Sequence, residues 1–149
     1  MAKLDPFTGP EGKKRLAAAL KPHDLIDNNG TLARKFAEQA EVEEIPSGVT
    51  LLKQNATDSE DVYLVLEGEV AVEVNGKRLT TSGPGALVGE MALLDPYGAR
   101  SASVITTMDT VVARIKPSRF EALAKEYPQV WRAVAQELAR RVRRHNARV

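Results

Sequence analysis

Between residues 89 and 102 the chain reads GEMALLDPYGARSA, opening on Gly89-Glu90 and closing on Arg100-Ser101-Ala102. Gly89 lacks a Cβ, so the backbone there can approach a ligand closely. Residues 90–94 suffice for one helical turn, whose unpaired N–H groups attract an anion. Arg100 adds a planar, permanently charged fork that matches phosphate oxygens. Ser101 supplies a hydroxyl, and Ala102 keeps the wall low. Glu90 would repel a phosphate, but it can accept hydrogen bonds from a neighbouring sugar hydroxyl. Phosphate on Arg100 and ribose on Glu90 together describe a small nucleotide. The same two residues could instead pair with each other across a structural loop, as surface ion pairs commonly do.

Other chemistries find little support. Cysteine is absent, and the two histidines, His23 and His145, stand near opposite ends of the chain. A metal centre or a Ser–His–acid triad needs more than this, so both histidines are expected to be exposed and without a structural task. GPGALVG (83–89) is glycine-rich, but no Lys-Ser/Thr follows it, so it is not a phosphate loop. With no dinucleotide fingerprint either, the chain does not read as an enzyme. The net charge of +1 hides an asymmetry: residues 38–74 hold ten acids and one Lys, and residues 131–149 hold six Arg and one Glu. A basic helix end suits the helix dipole; contact with an anion or an acidic partner is the sharper reading. No aromatic residue beyond Trp131 interleaves with these arginines and no helix-turn-helix is present, which argues against nucleic acid. No long apolar stretch or leader is visible, so no membrane partner is expected and the expected location is cytoplasmic.

The elements around this stretch follow from periodicity. The length of 149 residues suits one domain: residues 1–30 read as an N-terminal helical extension and 31–149 as the domain proper. GKKRLAAAL (12–20) is helix-prone and stops at Pro22; TLARKFAEQA (31–40) offers Thr31 as N-cap. VYLVLEGEVAVEV (62–74) alternates as strand, with Gly68 marking a bend, and Asn75-Gly76 turns it into KRLTT (77–81). EVEEI (41–45), VTLLK (49–53), SASVITT (101–107) and TVVARIK (110–116) bring the count to seven or eight short strands. Ser118 to Glu121 spell a capping box, and Pro128 opens a last helix striped by Trp131, Val134, Leu138 and Val142. The expected class is mainly β with flanking helices: an antiparallel β-roll or jelly roll, with N-terminal helices and a C-terminal lid helix.

GEMALLDPYGARSASV (89–104) resembles the phosphate-binding cassette of the cyclic-nucleotide-binding domain, a family that includes the catabolite activator protein, protein kinase regulatory subunits and cyclic-nucleotide-gated channels. The resemblance extends through VYLVLEGEVAVEV and RIKPSRFEALAKEYPQV, over residues 32–145. It implies that Gly89 and Glu90 contact the ribose 2′-hydroxyl and that the backbone at Met91 and Ala92 donates to the cyclic phosphate. Arg100 then binds that phosphate, with Ser101 and Ala102 beside it. An arginine of the last helix closes over the base; ungapped counting puts it at Arg141, with Arg140 adjacent. Two positions depart from the family pattern: QNATDSED (54–61) replaces a common Gly-Asp loop, and Val88 replaces an aromatic. Ser101 leaves the base open, with cAMP favoured in a bacterial setting and cGMP second.

The function implied is a regulatory receptor module for signal transduction, needing no cofactor, that passes ligand binding through helix rearrangement to an effector protein. The alternative is a degenerate β-roll with an empty pocket, used for interaction or for homodimerisation through the C-terminal helix. The chain stops just after the lid helix, so it is expected to be a stand-alone receptor or a piece of a larger protein.

Overall fold

The computed structural model describes residues 7, 9–23, 25–55, 61–89 and 102–147, with the side chains of Arg141 and residues 144–147 left undescribed. Two helices, α1 (Gly9–Leu20) and α2 (Gly30–Gln39), lead into β1 (Glu41–Ile45), β2 (Thr50–Leu52), β3 (Val62–Glu67), β4 (Val70–Val74) and β5 (Lys77–Ser82). These are followed by β6 (Leu87–Val88), β7 (Ser103–Thr106) and β8 (Thr110–Ile115), then by helices α3 (Pro117–Glu126) and α4 (Gln129–Ala147). The strands form two antiparallel four-stranded sheets, ordered β1-β8-β3-β6 and β2-β7-β4-β5. This is the expected β-roll with flanking helices.

Local chemistry explains the turns. Asn75 and Gly76 both take positive φ, 54° and 77°, as a two-residue hairpin with the twist of its strands requires. Gly68, at φ 101°, ends β3 where the pairing with β8 shifts register between Val65 and Glu67. A Cβ on Gly68 would lie 2.5 Å from Thr110 Oγ1 and 2.7 Å from the Asp109 carbonyl oxygen. Thr110 is fully buried, and its hydroxyl accepts from the Glu69 N–H and lies 2.8 Å from the Met108 carbonyl oxygen.

Two cores flank the first sheet. Val62, Leu64, Leu87, Ala113 and Ile115 face the helices, where they meet Leu16, Leu32, Phe36, Phe120 and Val134. Tyr63, Val65, Val88 and Val112 face the inside of the roll, where they meet Leu52, Val70 and Val104. On the helix side, Phe120 is edge-on to Phe36 at 6.0 Å and to Trp131 at 5.9 Å, tying α2, α3 and α4 together.

Two local expectations are corrected, and one short strand is added. Asn29, not Thr31, caps α2: its side chain accepts from the Leu32 N–H, and Gly30 is already helical. The capping box at Ser118 does not form, because α3 already begins at Pro117 with Lys116 at the N-cap and no side-chain cap bond. Leu87 and Val88 form β6, a strand too short to show a period.

Gly68→Ala is expected to destabilise the fold by about 2 kcal/mol or more in urea unfolding, since strain and a backbone clash add. Gly76→Ala, which meets nothing within 4 Å, should cost less. Equal losses would mean that only the backbone angle matters.

Candidate functional site

Glu90, Met91, Ala92, Arg100 and Ser101 lie outside the described residues. The two ends of their segment are described, and each is held by different means. On the entry side, β6 pairs with β3 through Leu87↔Leu64 and Val88↔Tyr63. Gly89 follows at φ 88°, a region in which any side chain would be strained. The chain returns at half-buried Ala102, then Ser103 pairs with Glu73 in the second sheet. Ser103 Oγ accepts from the Gln54 N–H at 2.8 Å. Gln54 in turn holds the hairpin turn, accepting from the Asn75 N–H at 2.7 Å and donating to Asn75 Oδ1 at 3.2 Å. The described chain therefore leaves the first sheet at Gly89 and is next described at Ala102, entering the second sheet at Ser103.

Cross-strand partners share a face, so Glu41, Arg114, Tyr63 and Val88 form one row across the first sheet, ending one residue before Gly89. Arg114 Nη2 lies 2.9 Å from Glu41 Oε2 and 2.8 Å from Glu43 Oε1, and Nη1 lies 3.8 Å from Asp61 Oδ2. The hydrogen bond from Arg114 holds the Glu41 carboxyl below its ordinary value, and the same bond raises Arg114. Burial pushes the Tyr63 phenol up. Three carboxylates thus surround this guanidinium.

The last helix lies on the other flank. Val130, Ala133 and Val134 are buried and anchor its N-terminal half, whereas Val142 is 58% exposed. Of the two arginines expected over the base, Arg141 has no described side chain. Arg140 donates from Nη2 and Nε to Glu137 Oε2, at 2.9 and 3.2 Å. This pair borders a small cavity of about 70 Å3 that is also lined by His23, Leu25, Gly85 and Leu87.

His23 corrects the expectation of an idle histidine. It is half-buried and bonded through both ring nitrogens, to the Leu25 N–H and to the Gly85 carbonyl. Nothing in the local sequence announces this, because the second partner lies 62 residues away. Among the described residues, no cluster of three metal-ligating side chains occurs, and no helix is long and apolar enough to cross a membrane.

Comparison with known proteins agrees with this architecture. The family model described as the cyclic nucleotide-binding domain matches residues 42–127. The chain is 41% identical over 143 residues to the Pycsar effector protein XpPycTIR of Xanthomonas perforans, covering 96% of this chain and 47% of that protein. It is 39% identical over 87 residues to the cyclic AMP receptor protein of Thermus thermophilus, covering 55% of this chain and 40% of that one. The regulatory domain of Toxoplasma gondii PKA, solved with cAMP, shares the fold with a TM-score of 0.75 at 21% identity, covering 86% of this chain and 50% of that one. The chain spans about half the length of the curated relatives it matches most fully.

The Arg114 row yields a pH test. Because the folded-state value of Glu41 is lowered, its contribution is complete above the ordinary 4.5 and is lost as pH falls through the folded value below that. Arg114→Met should therefore lower the melting temperature near neutral pH, and the gap from wild type should close as pH drops below 4.5. A gap of constant size would assign Arg114 to packing by its aliphatic stem.

Proposed function

Because the chain belongs to the cyclic nucleotide-binding domain family, we propose that it is a regulatory receptor for a 3′,5′-cyclic mononucleotide, with cAMP the favoured ligand and cGMP the alternative. The observation that carries the proposal is Gly89. At φ 88° it turns the chain out of β6 and starts the Gly-Glu…Arg-Ser-Ala stretch between the two sheets. In this reading Glu90 accepts from the ribose 2′-hydroxyl, the Met91 and Ala92 N–H groups and Arg100 hold the cyclic phosphate, and Ser101 and Ala102 line its edge. Arg141, or Arg140 beside it, covers the base. The choice of cAMP is supported by the Thermus relative, named for it, and by the Toxoplasma regulatory domain solved with it.

No bond is made or broken in the ligand. A nucleotide that touches both the cassette and α4 stabilises the arrangement in which the two are close, so binding shifts the population of helix positions. The contacts Phe36–Phe120–Trp131 pass a displacement of α4 to α3 and α2. An effector unit reads that displacement; the effector name of the Xanthomonas relative, twice this length, supports such an output.

Calorimetric titration with the four common cyclic mononucleotides tests the proposal. cAMP should bind most tightly; preference for another base would replace cAMP and keep the receptor. No heat from any of the four would favour a ligand-free interaction module. Glu90→Ala should weaken binding about 10- to 150-fold, the loss of a hydrogen bond to a charged group, and should erase the preference for ribose over 2′-deoxyribose. Arg100→Lys should keep the melting temperature of the ligand-free protein and lose at least about tenfold in affinity, about 1.4 kcal/mol, because an ammonium cannot replace the fork. If Arg100→Lys lowers stability and leaves affinity intact, Arg100 is a structural partner of Glu90.

A further inference from the structure

The turn between β5 and β6, which contains GPG (83–85), sets the direction from which the chain reaches Gly89. The last of these three, Gly85, has φ 91°, and its N–H is bonded to the Val65 carbonyl at 2.8 Å. Its own carbonyl is taken by His23 Nε2 at 2.6 Å. A carbonyl cannot donate, so Nε2 carries the proton. His23 Nδ1 accepts from the Leu25 N–H at 3.1 Å, so Nδ1 carries none. Both neighbours thus demand the same neutral tautomer.

The ring is held in place by its own segment. The Ile26 and Asp27 N–H groups both bond to the His23 carbonyl, and the Asn28 N–H reaches back to the Lys21 carbonyl. Asp27 and Asn28 follow in left-handed conformation, at φ 52° and 61°, which reverses the chain into α2. Leu25 and Ile26 are buried in the helical core. The histidine is therefore an arm of the helical unit laid on the turn that leads toward Gly89. β6 itself adds only two residue pairs. Among the described residues, the charged side chains that line the same cavity as the ring are Glu137 and Arg140 of α4.

We propose that His23 is a positioning residue for ligand binding: its Nε2–H pins the Gly85 carbonyl and so holds residues 85–89 in the pose the cassette needs. This rests on the receptor reading for its consequence, and on the hydrogen-bond geometry alone for the pin. Reciprocity follows, because a ligand that orders Gly89 strengthens the pin and biases the pose of the helical unit.

Two substitutions separate the two ring nitrogens. His23→Asn keeps an acceptor at the depth of Nδ1 and cannot reach Gly85; His23→Gln keeps an N–H at the depth of Nε2. Amide hydrogen exchange across residues 85–89 of the ligand-free chain, and calorimetric cAMP affinity, are measured for both. His23→Asn should raise exchange and weaken cAMP binding by about fivefold each, as loss of a neutral hydrogen bond does. His23→Gln should remain within about twofold of wild type on both, by the same measure. The reverse order would make His23 a cap of its own turn and overturn the pin. Unaltered exchange in His23→Asn, or raised exchange with unaltered affinity, would also overturn the proposal. If wild type binds no cAMP, the cAMP reading falls, and the exchange order alone decides whether the pin exists.

Discussion

Strand β3 is buried on both faces, and the rest of the molecule depends on that. Val62 and Leu64 are committed to the helical core while Tyr63 and Val65 are committed to the roll. A slip by one residue would exchange the two sets and put the Tyr63 phenol among aliphatic side chains packed against helices. The register of β3 against both β8 and β6 is consequently specified twice. Because β6 is only two residues long, the place where the chain leaves the sheet at Gly89 is inherited from β3 rather than determined by β6 itself.

The helical side is held by contacts of a different kind. Lys13 Nζ donates to the Ala37 and Ala40 carbonyls, both at 2.9 Å, satisfying the end of α2 and fixing α1 across it. Lys35 pairs with Glu126 and lies 5.5 Å from the centre of the Tyr127 ring, joining α2 to the junction between α3 and α4. The Glu126 hydrogen bond raises the Lys35 ammonium above its ordinary value. α4 is packed firmly at Val130, Ala133 and Val134 and loosens toward Val142. The contacts that hold α4 to the core are thus concentrated in its N-terminal half.

The strands were legible wherever their chemistry is local. Asn75-Gly76 announces a left-handed hairpin turn, and the alternation of 70–74 announces a strand with one face inside the roll. Gly68 was legible as an interruption, but not as the residue that admits Thr110, since that neighbour comes from another strand. Both helix caps lie two residues before the expected ones, because Asn29 already accepts from the Leu32 N–H and Pro117 already opens α3 after Lys116. β6 has no period to detect, and the task of His23 depends on a carbonyl far along the chain. For the candidate site the balance is inverted. Residues 90–101 speak through their side-chain types, and the fold contributes the two differently tethered ends between which they run.

The chain has a single tryptophan, Trp131, and it stands on the first turn of α4, edge-on to Phe120. Indole emission depends on the polarity and the quenchers around the ring, and this ring is half-buried at the point where α4 meets α3. The protein therefore carries its own optical reporter at the junction of α3 and α4. Steady-state and stopped-flow fluorescence can follow that junction in unlabelled protein, with no second indole to blur the signal.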